Sequence, residues 1–504
     1  MENNPAFNVL LFHCDQLRYD CIGSNGNRYV RTPNIDALAT AGTVFSRHIA
    51  ANTVCMPSRA SLLTGLYPPG HGLTANGIAL NRKEYIPHAI PDWMKGDIPI
   101  AEEPQTLADA FVSAGYHTAA FGKLHLTPSL APVCYGYPET YACWDDGHLD
   151  DWHGPYYGFQ EIWMTKGHGE QTIEHGHYRL WLDEHFPDLR GRIKEAAQQV
   201  QHPVSSVDDC YPSAIPLEAH NTTWLAEHTA RYIAERRRDG KAFFAFVGFP
   251  DPHHPFTPTM ETWEMFKDAP VHEPVAPDDT SWPRGGATDG GGMQLNLTSE
   301  ERKIIIRATY AMIYQIDLAV GRIIESLKSE GLWENTVIMF TSDHGDYLCD
   351  HGLLRKSGHG CDALLHVPFI MRVPKANLPA YIHTPMSSCD VMPTTLAACG
   401  LAVPRGLHGI NVLEPGAGHP DRQVYAFTAD GNPANNNITI YDHQYRFTWF
   451  PADNRTFLFD HSTDHGENRN LSTDRPDLVS RFRNGASTAL ARAYSPITGR
   501  VAPW

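Results

Sequence analysis

Cys55 stands in the stretch NTVCMPSRASLLTG, residues 52–65, shortly before a Ser-Arg pair. The spacing of SRASLLTG predicts a helix, which places the thiol at a helix N-terminus, where backbone N–H groups favour negative charge. Arg59, one turn on, can reach back to it. That setting lowers a thiol pKa and suits a nucleophile; the bland alternative is a buried cysteine packing as a small apolar residue. Two further segments carry paired donors, Asp15 with Gln16 in HCDQ and Asp343 with His344 in SDHGD. Mostly hard oxygens, they suit a divalent cation such as Ca²⁺ or Mg²⁺, and the imidazole admits Mn²⁺. Taken alone, SDHGD also reads as a helix cap and a turn. Arg59, Lys123 and Lys356 are candidates to hold an oxyanion, with His125 and His253 as proton carriers.

These residues need a frame. FNVLLFH (7–13) reads as a buried parallel strand, and TPNIDALATAG as an amphipathic helix opened by Thr-Pro and closed by Gly42. TLADAFVSAG followed by YHTAAFGKLH, a helix near 221–238 before KAFFAFVGF, and a helix near 298–330 before TVIMFTSDHG continue the alternation. Strands alternating with helices predict an α/β fold, a mainly parallel sheet sandwiched by helices, whose ligands gather at the carboxyl ends of the strands. The polar clusters HCDQ, GKLHL, DPHHP and SDHGD fall at those ends. Residues 128–220 and 255–297 break the rhythm and read as insertions over that edge. From about residue 416, QVYAFTA, ITIYDHQYRFTWF and TFLFDH predict short antiparallel strands. The expected division is a catalytic domain over 1–415 and a smaller C-terminal α+β subdomain over 416–504.

A net charge of −17 over 504 residues, with no clustered basic face, argues against nucleic acid as a partner. No stretch of the sequence reads as a membrane span, and the N-terminal segment lacks a signal-peptide pattern. Ten scattered cysteines without CxxC pairs point to free thiols. A cytoplasmic location is expected. The histidines of KGHGEQTIEHGHYR (166–179) show no regular ligand spacing and read as ordinary lid or surface residues. The aromatic residues from Tyr135 to Trp163 would either wall a substrate pocket or pack the insertion.

Together these motifs resemble the type I sulfatases of the alkaline phosphatase superfamily. The family signature C-x-P-S-R-x-x-L-x-T-G stands unbroken from Cys55 to Gly65. GKLHL, DPHHPF, SDHGDYLCDHGLLRKS and FLFDHSTDHGENRNLSTD are similar to other family segments. The resemblance implies that Cys55 is converted by a formylglycine-generating enzyme to formylglycine, whose hydrate attacks the sulfur of a sulfate ester; loss of a proton from its second hydroxyl then expels sulfate and restores the aldehyde. It further implies that Asp15, Gln16, Asp343 and His344 hold one divalent metal, Ca²⁺ or Mn²⁺. Arg59 would stabilise the formylglycine, Lys123 and Lys356 would neutralise the transferred group, His253 would protonate the departing alcohol, and His125 would act as base.

Many sulfatases carry Asp-Asp and Asp-Asn where this chain has Asp15-Gln16 and Asp343-His344. The version here is closer to a bacterial branch that includes choline sulfatases and phosphonate monoester hydrolases. The expected activity is hydrolysis of a small anionic organic sulfate monoester, an arylsulfatase-like reaction. The alternative is hydrolysis of a phosphonate monoester or phosphodiester at the same site. A catalytically silent binding relative is disfavoured, because no proposed catalytic position is missing. The insertions and the C-terminal unit offer surfaces for a homo-oligomer.

Overall fold

The computed structural model describes residues 7–82, 103–145, 147–197, 207–276, 293–294, 296–414, 416–417, 419, 421–429 and 433–494. Eight strands form the central sheet: β1 (Asn8–Cys14), β2 (Thr43–Phe45), β3 (His117–Gly122), β4 (Glu161–Met164), β5 (Phe243–Gly248), β6 (Thr336–Ser342), β7 (Phe369–Arg372) and β8 (Tyr381–Ile382). Their order is β8-β2-β7-β6-β1-β5-β3-β4. All run in one direction except β7, which pairs antiparallel with β6 and β2.

The continuous apolar runs follow from burial on both faces. Leu10, Phe12 and Cys14 of β1 enter one core, and Val9 and Leu11 enter the other. The same split recurs in β5, where Ala245 and Val247 oppose Phe244 and Phe246, and in β6, where Ile338 and Phe340 oppose Val337 and Met339. Helices α1 (Pro33–Ala41), α2 (Cys55–Thr64), α3 (Leu107–Ser113), α4 (Asn221–Asp239) and α5 (Ser299–Ser329) cover the sheet. Trp224 of α4 and Ile305 and Ile316 of α5 pack into the first core; Leu62 of α2 and Phe111 of α3 pack into the second.

Two expectations are corrected. Residues 128–220 are not wholly an insertion, because β4 lies within them and pairs in parallel with β3, Ala119 opposite Glu161. A four-residue edge strand flanked by Gly, His and Trp carries too short a pattern to read locally. Helix α5 is long and apolar enough to cross a membrane by length and composition, contrary to the sequence reading, yet 72% of that window is buried within the fold, as in a core helix. Parts of the second insertion (277–292 and 295) and the boundary at 415 lie outside the described residues.

Strands β9 (Val424–Thr428), β10 (Asn437–Tyr441), β11 (Tyr445–Phe450) and β12 (Arg455–Asp460) form a separate antiparallel sheet, packed against α6 (Pro476–Tyr494) through Ile440, Phe447, Leu458 and Phe482. None of the ten cysteines forms a disulfide.

Candidate active site

Asp15 and Asp343 directly follow the neighbouring strands β1 and β6, so their carboxylates emerge side by side from distant parts of the sequence. Across β5, strand β3 delivers Lys123. Gly122 and Gly248 close that edge, where a Cβ on Gly122 would strike the Gly248 carbonyl and one on Gly248 the Lys123 carbonyl.

The signature segment forms α2, which begins at Cys55 and ends at Thr64, and Gly65, with a φ of 69°, caps it in the left-handed region. The Ser58 hydroxyl donates to the Asp343 carbonyl, and Leu62 fills the second core. Arg59 is 1% exposed. Its Nε donates to Asp343 Oδ2 at 2.7 Å, Nη2 to Asp15 Oδ2 at 3.2 Å and Nη1 to the Lys123 carbonyl at 2.8 Å. This fork ties three strand ends to the helix that carries Cys55.

Cys55 Sγ lies within 4.8 Å of a carboxylate oxygen of both Asp15 and Asp343. It lies 2.8 Å from Lys356 Nζ, 3.2 Å from His344 Nε2 and 3.7 Å from Asp15 Oδ1. Burial and Asp15 push the thiol pKa up, but Lys356, Lys123 and His344 outweigh them and lower it. Burial works against the Asp15 carboxylate too, yet Lys123, His253 and Arg59 hold its pKa well below the usual range. Burial and Asp15 raise the Asp343 pKa, and His344 and Arg59 bring it down. Two ionised carboxylates therefore face one another, with cations on their outer sides.

The donor set fits a hard divalent ion. His344 Nδ1 lies 2.9 Å from the Gly345 carbonyl, so that nitrogen carries the proton and Nε2 turns inward. The Gln16 backbone, at φ 67°, donates its N–H to Asp343 Oδ1. Its side-chain Oε1 is buried without a hydrogen-bond partner. Carboxylate oxygens of Asp15 and Asp343, the Cys55 sulfur and a His344 nitrogen lie within 4.8 Å of one another. A buried amide oxygen with no donor beside two carboxylates and an imidazole is a place for a cation.

His253 accompanies them. Its Nδ1 meets the His254 carbonyl and its Nε2 lies 3.1 Å from Lys356 Nζ. Burial, then His168, His254 and Lys356, press its pKa well below the ordinary value. His125 sits apart: its N–H donates to Glu139, its Nδ1 is buried without a partner, and no described contact joins it to Cys55.

The sequence missed two participants. His168, assigned to an ordinary lid, contacts Lys123 Nζ, lies 3.7 Å from Asp15 Oδ2 and stacks on His253 at 3.7 Å between ring centres. His253 in turn stacks on His254 at 4.0 Å, giving three rings in a row. The one local signal is the flanking pair Gly167 and Gly169, both at positive φ; a Cβ on Gly169 would strike Thr257. Asp346, the last residue of SDHGD, contacts the Gln16 amide. Of the aromatic candidates, Trp144, Tyr156 and Tyr157 are buried and pack the insertion.

The sequence profile of the sulfatase family matches residues 7–401. The chain is 28% identical over 483 residues to an arylsulfatase of Clostridium perfringens, covering 92% of this chain and 90% of that one. It is 29% identical over 455 residues to the multifunctional alkaline phosphatase superfamily protein PehA of Trinickia caryophylli, covering 85% and 78%. The phosphonate monoester hydrolase of Agrobacterium radiobacter superposes with a TM-score of 0.72 and 25% identity over 97% of this chain and 96% of that one. With an alkaline-phosphatase-like fold and the sulfatase profile across most of its length, the chain belongs to the sulfatase family and is a sulfuric ester hydrolase.

Proposed function

We propose that the protein hydrolyses a small organic sulfate monoester to alcohol and sulfate, using residue 55 in its formylglycine form as the nucleophile. The observation that carries this reading is the position of Cys55 Sγ, 2.8 Å from Lys356 and facing Asp15 and His344. Asp15, Gln16, Asp343 and His344 would hold a divalent ion, Ca²⁺ or Mn²⁺, which withdraws charge from the ester oxygens when bound. Arg59 fixes the angle between the helix and both carboxylates. Lys123 and Lys356 meet the negative charge that develops on the transferred group. His253, anchored at Nδ1, offers Nε2 toward the departing oxygen. A bound anion beside it raises its proton affinity, so that it can enter the cycle carrying a proton taken from solvent. His125 remains the proposed base for release of sulfate.

The similarity to a phosphonate monoester hydrolase favours a second reading, cleavage of phosphonate monoesters in the same site. Turnover of matched aryl sulfate and phenylphosphonate esters separates the two. A higher kcat/KM for the sulfate supports the first; a far higher value for the phosphonate overturns it. Mass spectrometry of the tryptic peptide His48–Arg59 tests the nucleophile. Conversion appears as the loss that accompanies replacing the thiol and one hydrogen by a carbonyl oxygen, and a peptide that stays wholly cysteine in its native host would sink the mechanism.

A further inference from the structure

The Gln16 side chain presents a choice that the fold has already made. An amide has nearly isosteric ends, one donating and one accepting, and only the oxygen can ligate a cation. Gln16 Nε2 contacts Asp346 Oδ2 and lies 3.2 Å from His254 Nδ1. The other Asp346 oxygen, Oδ1, accepts the N–H groups of Leu348 at 2.7 Å and Arg355 at 2.9 Å. Asp346 is 3% exposed and is held on both oxygens by donors. Turning the Gln16 amide over would set its carbonyl against a carboxylate and put its NH₂ where Oε1 now lies. As it stands, Oε1 is the buried atom left without a partner.

We propose that Asp346 is a positioning residue that locks the Gln16 amide with its oxygen toward the metal pocket. The lock makes a neutral side chain a dependable oxygen donor where many relatives use a carboxylate, and so sets the affinity of a site with one fewer negative charge. This inference rests on the metal reading of the site.

The test is a polarity swap read by calorimetric titration of Ca²⁺ and Mn²⁺ into the metal-free full-length chain at pH 8. In Asp346→Asn the new carbonyl keeps the Leu348 and Arg355 bonds, so its NH₂ faces that of Gln16 and drives the amide over. Affinity should fall about 10–100-fold, as for lost supporting bonds around metal ligands. In the double variant Gln16→Glu/Asp346→Asn, the new carboxylate accepts from the Asn NH₂ with one oxygen and offers the other to the ion, so affinity should return to within a few-fold of wild type. A purely structural role for Asp346 gives no such rescue. Binding by Asp346→Asn that matches wild type, or a double variant no tighter than Asp346→Asn, overturns the proposal. A wild-type chain that binds neither ion overturns the metal reading and this inference with it. A crystal structure of the Ca²⁺-loaded wild type tests the contact without substitution: Gln16 Oε1 is expected at about 2.4 Å from the ion with its nitrogen on Asp346, and the reverse orientation refutes the lock.

Discussion

Two clusters in this molecule each bring together two carboxylates, a guanidinium and an imidazole, and we assign the reaction to only one of them. The first holds Asp15, Asp343, Arg59 and His344; the second holds Asp362, Glu467, Arg446 and His461, beside a cavity of about 490 Å³. In the second, the imidazole spends both nitrogens on carboxylates, with Nε2 2.9 Å from Glu467 Oε1 and Nδ1 3.7 Å from Asp362 Oδ1. Arg446 meets the same Glu467 oxygen and the Thr448 hydroxyl. Two cations thus face two anions and tie the segment after the active site to the C-terminal sheet, although Asp362 Oδ1 has no hydrogen-bond partner of its own. In the first cluster His344 turns one nitrogen away to a backbone carbonyl, Arg59 takes the outer carboxylate oxygens, and Gln16 Oε1 is buried without a partner. Ligand types in proximity do not make a metal centre; what separates the two clusters is an imidazole that keeps one nitrogen turned inward instead of spending both on carboxylates.

The largest test of that contrast is Cys55→Ala. It should lower kcat by at least about 10⁴-fold while thermal unfolding stays close to wild type; substantial residual turnover would move the chemistry elsewhere. Next, Arg446→Leu strands the buried Glu467 carboxylate and should cost about 3–5 kcal/mol of stability in denaturant unfolding, with the bound-metal count unchanged. A loss of metal instead would erase the distinction between the clusters. Third, Ca²⁺ or Mn²⁺ at a hundredfold excess over Kd should stabilise the folded chain by about 2.7 kcal/mol with one ion per chain by elemental analysis. Glu467→Gln should leave that count at one; a second ion in wild type that disappears in this variant would make the second cluster a metal site after all.

The smallest effect is in pH. Burial opposes the His461 imidazolium, but Asp362 and Glu467 outweigh it and raise the pKa. Its contribution to stability is therefore complete below the ordinary histidine value of about 6.5 and is lost as pH rises through the raised one. Burial also opposes the Asp362 carboxylate, but His461 and His366 depress its pKa. That contribution is present above the ordinary value of about 3.9 and is lost as pH falls. Unfolding free energy against pH should decline on both sides of a plateau, and His461→Gln should remove the alkaline decline; an unchanged profile would mean His461 is not the bridging cation.

Much of the active cluster was legible because its residues follow strand ends directly, and because α2 compresses Cys55, Ser58, Arg59, Leu62 and Gly65 into one helix with a separate task for each. His168 was not legible. It reaches Lys123 from an insertion whose path depends on packing, and the sequence around it offers several other histidines with no ligand spacing. Asp346 was written in SDHGD, but its partner is an amide far away in sequence, and amide orientation is a property of hydrogen-bond partners rather than of spacing. The β4 edge strand was hidden for the opposite reason: four residues are too few to show a period.

The burial of Cys55, at 2% exposure beneath Lys356, also sets a clock. On the proposed formylglycine mechanism, a modifying enzyme would have to handle the segment around this residue while it is still extended. The pocket that hides it needs Asp343, His344 and Lys356, which leave the ribosome much later. At about 5–20 residues per second that interval is on the order of tens of seconds. On that mechanism maturation would be a race between an encounter and the completion of the chain, and a host that translates faster, or meets the segment less often, would make a correctly folded protein that can never turn over.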